Sequence, residues 1–156
     1  MSLGNLDELY REIVLDHYRT PRNRGELPVP PAVRVEGFNP LCGDEIALYV
    51  EVHDGVLTDI RLSGHGCSIS QASSSLMSVA VKGRPLGEVR ATIERFKAMM
   101  TVGETGADAA PSVADLRTMG ELAALQGVAQ FPVRIKCATL AWNTLTQALD
   151  EAAPSA

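Results

Sequence analysis

EIALYVEVHDGVLTDIRL, residues 45–62, sets Ile46, Leu48, Val50 and Val52 in alternation with Ala47, Tyr49 and Glu51. Successive side chains of a strand point to opposite faces, so this period of two marks a half-buried strand. Asp54-Gly55 is a pair favoured in two-residue hairpin turns, and a second apolar run follows it. Residues 45–52 and 56–62 are therefore predicted to pair as antiparallel strands, with Val33–Gly37 as a shorter third. A sheet this small needs one face covered, and the sequence around it is helical in pattern.

On the N-terminal side, Asn5 followed by Asp7 and Glu8 reads as a helix cap, and Leu6, Leu9, Tyr10, Ile13 and Val14 recur at helical spacing. This predicts a first helix from about Leu6 to Tyr18. TPRNRGELPVPP (20–31) holds four prolines and a glycine and reads as a surface linker. On the C-terminal side, Ile69, Ala72, Leu76 and Val79 define a helix over Ser68–Lys82 that stops at Gly83. Pro85 starts another, carried by Leu86, Val89, Ile93, Phe96 and Met100. Thr101–Ala110 reads as a loop. Ser112 caps a helix that includes Leu116, Met119, Leu122 and Leu125, Pro132 breaks the chain, and Cys137–Leu149 forms the last helix. The expected class is α+β: a three-stranded antiparallel sheet covered by helices, with residues 1–156 as one domain.

Composition fits that reading. Hydrophobic residues make up 46% of the 156 and charged residues 21%, the ordinary globular balance. The net charge is −5, without a run of five basic residues, which speaks against a surface that tracks nucleic-acid phosphates. No apolar stretch is long enough to span a bilayer, and MSLGNLDELYRE lacks the features of a secretory signal, so no membrane role and a cytoplasmic location are expected.

Three cysteines are too few and too odd in number for a disulfide framework. Cys42 lies in the turn NPLCGD (39–44), Cys67 follows Gly64-His65-Gly66 at a helix start, and Cys137 is expected at the start of the last helix. Helix N-termini favour thiolate over thiol. With Asp44, two residues after Cys42, the sulfurs make four donors, the usual coordination number of zinc. The spacing lacks the C-x₂-C of a zinc ribbon, so a shared metal or reactive-thiol site at Cys42, Asp44, Cys67 and Cys137 stands against three dispersed core thiols.

LDHYRTPRN (15–23), NPLCGD (39–44), GHGCSISQASSSLM (64–77) and RIKCATLAW (134–142) together resemble the IscU/NifU N-terminal/SufU family of iron–sulfur cluster assembly proteins. The resemblance covers nearly the whole chain and is nearest to the SufU type. Lys136 stands where the IscU type has a histidine before its third cysteine, and residues 101–130 resemble an insertion seen in SufU proteins. It implies a zinc protein that takes persulfide sulfur from a cysteine desulfurase (SufS-like) and passes it to downstream iron–sulfur assembly proteins. By position, Cys42, Asp44, Cys67 and Cys137 would bind zinc and Cys42 would accept sulfur. The alternative function is a scaffold on which a transient Fe–S cluster forms, and a third is a structural zinc module.

Three thiolates and a carboxylate around Zn²⁺ sum to −2, and Arg134 and Lys136 are placed to offset that charge. The remaining polar residues have plainer readings. In the family motif that the chain resembles, His65 falls at what looks like a variable slot; His17 is expected to pack or cap the first helix, Ser73–Ser75 to form a close helix-packing face, and Met99-Met100 to belong to the core.

Overall fold

The computed structural model describes residues 3–105 and 120–152. Three strands, β1 (Val33–Asn39), β2 (Asp44–His53) and β3 (Val56–His65), form one antiparallel sheet in the order β1-β2-β3. Asp54 (φ 50) and Gly55 (φ 74) form the hairpin turn between β2 and β3, both in the left-handed region that the primed turns require. All three strands run further than the alternation predicts, because pairing extends past the apolar residues: Asn39 pairs with Asp44 and Glu45 with His65.

Helices cover one face of the sheet. Leu48, Val50, Leu57, Ile60 and Leu62 are buried there, beneath α2 (Ser68–Val81) and the last helix, α4 (Pro132–Ala152). Helix α3 (Leu86–Thr105) packs on α4, and Phe96 stacks on Trp142 with ring centroids 4.3 Å apart. A 3₁₀ helix over Gly120–Gln130 lies against α1 and α3 and buries Leu122 and Leu125. Those two residues were expected on a helix capped by Ser112; that cap, Leu116 and Met119 lie outside the described residues. The loop predicted from Thr101 instead begins as helix, since α3 continues to Thr105.

Helix α1 (Leu3–Arg19) packs on α2 and the 3₁₀ helix. Ile13 and Val14 contact the core as expected, but Leu9 is exposed, and the buried stripe continues to His17 one turn further on. The proline-rich linker does more than cross the surface. Its Asn23 carbonyl accepts from the Leu62 N–H (2.8 Å) and its Gly25 N–H donates to the Leu62 carbonyl (2.9 Å), bridging the free edge of β3. No described helix is long and apolar enough to cross a membrane.

The serines of α2 make the close packing possible. Ser73 Oγ donates to the Ala138 carbonyl (2.6 Å) and accepts from the Trp142 indole N–H (3.0 Å), locking α2 to α4. Ser75 Oγ accepts from the Arg22 N–H (2.9 Å) and lies 2.7 Å from His17 Nδ1, while Ser78 Oγ accepts from Asn23. Each hydroxyl is a buried polar group with a partner inside the fold.

Candidate metal and thiol site

The turn between β1 and β2 carries the first two candidate groups. Cys42 N–H donates to the Asn39 carbonyl and Leu41 N–H to Asn39 Oδ1, both at 3.3 Å, and Gly43 takes φ 67 to bring the chain back into β2. Asp44, the first residue of β2, is fully buried (0% exposed), whereas Cys42 is half-buried at the edge of the turn.

The crossover from β3 to α2 brings the third. Cys67 is the N-cap of α2, and its sulfur accepts from the Ser70 N–H at 3.4 Å, as an oxygen cap would. Its own N–H donates to Asp44 Oδ1 (2.8 Å), and its Sγ lies 3.9 Å from Asp44 Oδ2. Gly66 makes this approach possible: a Cβ there would fall 2.6 Å from Asp44 Oδ1.

Cys137 completes the group from α4. Its Sγ lies 3.0 Å from that of Cys42, and Cys42, Asp44 and Cys137 each offer a ligand atom within 4.8 Å of the others. The structure thus brings together all four residues singled out in the sequence, three of them in a tight cluster and Cys67 joined through Asp44. They are not dispersed core thiols. The sulfur separation exceeds the ~2.05 Å of a disulfide bond. It falls short of the roughly 3.7 Å between two sulfurs each ~2.3 Å from a tetrahedral zinc. Cys42 and Cys137 would have to part by under about 1 Å, and Cys67, outside the tight cluster, to draw closer, for the four to surround the ion; sulfur with one carboxylate is a donor set that suits it.

One expectation about this site fails. Cys137 does not open its helix; α4 begins at Pro132, so Cys137 is already in the second turn. Proline fits the first helical position because its missing N–H needs no partner there, and the Phe131 carbonyl accepts from the Arg134 and Ile135 N–H groups. The positive end of the helix is too far away to favour a Cys137 thiolate. Burial (1% exposed) and hydrogen bonding with the Cys42 and Cys67 sulfurs push this thiol well above its ordinary value in the metal-free protein.

Arg134 stands at the site. Its interaction with the Cys137 side chain, and then the charge of Cys67 and Cys42, hold the guanidinium above its usual value. Lys136 is exposed and makes no hydrogen bond or ion pair among the described residues. His65 is exposed and pairs with Glu45 (3.2 Å), away from the cluster, and Met99 and Met100 are buried in the core. A residue passed over in the sequence is Asn39, whose buried amide Nδ2 lies 3.4 Å from Asp44 Oδ2 and 3.7 Å from Cys137 Sγ. Its place at the head of NPLCGD was the available signal, but there it reads only as a turn residue.

Residues 9–138 match the family model described as the NifU-like N terminal domain. The chain is 41% identical over 142 residues to a Bacillus subtilis protein named zinc-dependent sulfurtransferase SufU, covering 91% of this chain and 90% of that one. It is 40% identical over 153 residues to a Streptococcus pyogenes protein named iron–sulfur cluster assembly scaffold protein IscU, covering 98% and 90%. Among solved structures, a Fervidobacterium islandicum protein described as an iron–sulfur cluster assembly scaffold for the SUF system superposes with a TM-score of 0.76. That alignment is 29% identical and covers 88% of this chain and 94% of the other. With four sulfur and carboxylate groups gathered on this fold and a family match over most of its length, the chain belongs to the NifU-like N-terminal domain family.

Proposed function

We propose that this protein is a zinc-dependent sulfur acceptor in iron–sulfur cluster assembly, taking persulfide sulfur from a cysteine desulfurase of the SufS kind and handing it to downstream assembly proteins. The observation that carries the reading is the convergence of Cys42, Asp44 and Cys137 within 4.8 Å, with Cys67 bonded to Asp44, in a chain 41% identical to a sulfurtransferase named as zinc-dependent. In this reading Cys42, Asp44, Cys67 and Cys137 hold the metal, and bound zinc would keep their sulfurs as thiolates at neutral pH.

Cys42 is the acceptor in this reading. It is half-buried on a short turn, whereas Cys67 is fixed at a helix cap and Cys137 is buried within a helix. Its thiolate attacks the outer sulfur of the donor persulfide. One S–S bond forms as the donor's S–S bond breaks, and the donor cysteine leaves as thiolate, so no oxidant is needed. Asp44, Cys67 and Cys137 keep their places while Cys42 moves. Arg134 supplies positive charge beside a site that sums to −2 when filled. Leu41, Phe38, Phe131 and Val133, all exposed large apolar residues, flank Cys42 or precede Cys137, which suits a site that works against a protein partner.

Incubation with a SufS-like desulfurase and cysteine, followed by mass spectrometry, tests the assignment. One added sulfur on Cys42 is expected, with loss of transfer and of desulfurase stimulation in Cys42→Ala while the fold persists. Persulfide on Cys67 or Cys137 with Cys42 unmodified overturns it. Similarity to proteins named as IscU scaffolds favours a second reading, assembly of a transient Fe–S cluster on the same residues. The two separate by metal analysis of protein purified without added metal: about one zinc per chain supports the first, and iron with acid-labile sulfide the second.

A further inference from the structure

We propose that Asn39 is a positioning residue of this site, holding Asp44 and Cys137 still while Cys42 is left free to move. The inference rests on the metal site proposed above. Asn39 is the last residue of β1 and pairs in register with Asp44, the first of β2. The residue is only 6% exposed, so water does not compete strongly for its amide.

The amide has two N–H hydrogens and one carbonyl, and each faces a group that belongs to the site. Nδ2 faces Asp44 Oδ2 at 3.4 Å and Cys137 Sγ at 3.7 Å, one hydrogen being available for each, and Oδ1 accepts from the Leu41 N–H at 3.3 Å. The other Asp44 oxygen is held by the Cys67 N–H. With both oxygens engaged, rotation of the buried carboxylate is restrained, and Oδ2 faces the sulfurs. Cys137 is fixed by its helix and touched by the same amide. Cys42 differs: apart from its sulfur contact with Cys137, it is held by one backbone hydrogen bond to the Asn39 carbonyl. Asn39 thus divides the site into a stationary part and a movable one, the division that acceptance of sulfur at Cys42 requires.

Two substitutions separate this role from turn closure. Asn39→Ser keeps a hydroxyl that can accept from the Leu41 N–H in an equivalent turn but is too short to reach Asp44 and Cys137. Asn39→Ala removes both functions. Co²⁺ serves as the probe, with affinity measured by chelator competition and geometry read from its visible absorption bands. Metal-free samples give thermal stability and the rate of Cys137 alkylation by iodoacetamide relative to Cys42.

Asn39→Ser is expected to weaken Co²⁺ binding by about 10- to 100-fold, the range typical for groups that orient metal ligands. Its bands should change shape and Cys137 alkylation should speed up, with metal-free stability kept within a few degrees. Wild-type affinity, bands and alkylation rate in Asn39→Ser overturn the inference, as does affinity lost only together with the metal-free fold. If the wild type takes up neither Co²⁺ nor Zn²⁺, the metal reading fails by itself; the alkylation comparison still decides whether Asn39 holds Cys137, and an unchanged rate overturns that.

Discussion

His17 shows how one side chain can tie three elements together and leave a pH signature. At 2% exposed it lies 2.7 Å from Ser75 of α2 and 3.4 Å from Glu121 of the 3₁₀ helix. Burial, and then the charge of Arg22, lowers its pKa below the ordinary 6.5, only partly opposed by Glu121. The unfolded chain therefore binds the proton more readily than the folded one. The stability that a neutral His17 contributes is present above 6.5 and is lost as pH falls through 6.5 toward the folded value. Denaturant unfolding between pH 7.5 and 5 should show stability dropping on acidification, with a shallower slope in His17→Gln. Equal slopes would remove His17 as the cause. Gly66 makes a second residue-scale case, since the Asp44 carboxylate occupies the space where a Cβ would stand. Gly66→Ala should displace Asp44 and weaken zinc binding by at least about tenfold, the lower end of the range for disturbed ligand support. Chelator competition measures it, and unchanged affinity would show that the carboxylate can shift freely.

At the scale of elements, α2 and α4 are joined through Ser73, which bonds both the Ala138 carbonyl and the Trp142 indole. Ser73→Ala leaves the indole N–H buried without its acceptor and should cost about 1–3 kcal/mol in urea unfolding. A loss below about 0.5 kcal/mol would mean that the indole finds another partner. The contrast between this helix pair and the hairpin explains what could be read in advance. The β2–β3 hairpin was legible because its period, its Asp54-Gly55 turn and its apolar face all point the same way. Cys67 was placed correctly at the cap of α2 because a glycine run precedes a clear helical stripe. The start of α4 was misread because Pro132 serves equally as a breaker or as a first helical residue, and nothing in RIKC decides between them. Likewise TPRNRGELPVPP shows where helix stops but not that its backbone bridges the edge of β3, since that pairing uses main-chain groups which carry no residue signature. Arg134 was legible as charge near the site, while Asn39 was hidden because its role depends on a helix 98 residues away.

For the whole molecule, the candidate donors connect the sheet, the start of α2 and the body of α4. A ligand bound only by the folded state stabilises it by RT ln(1 + [L]/Kd), about 2.7 kcal/mol at one hundred times Kd. Chelation with zinc loss confirmed should therefore lower the melting temperature, while the buried cluster from Val35 to Leu149 keeps much of the helical signal in circular dichroism. An unchanged melting temperature would detach the site from global stability. The contact between Cys42 and Cys137 spans 95 residues of sequence. Closing a loop of that length costs conformational entropy, which the assembled sheet and the docked final helix repay, so the complete pocket exists only where both are in place. Metal uptake would then report on the docking of the last helix, since a polypeptide that has not seated α4 lacks Cys137 beside Cys42 and presents incomplete ligation.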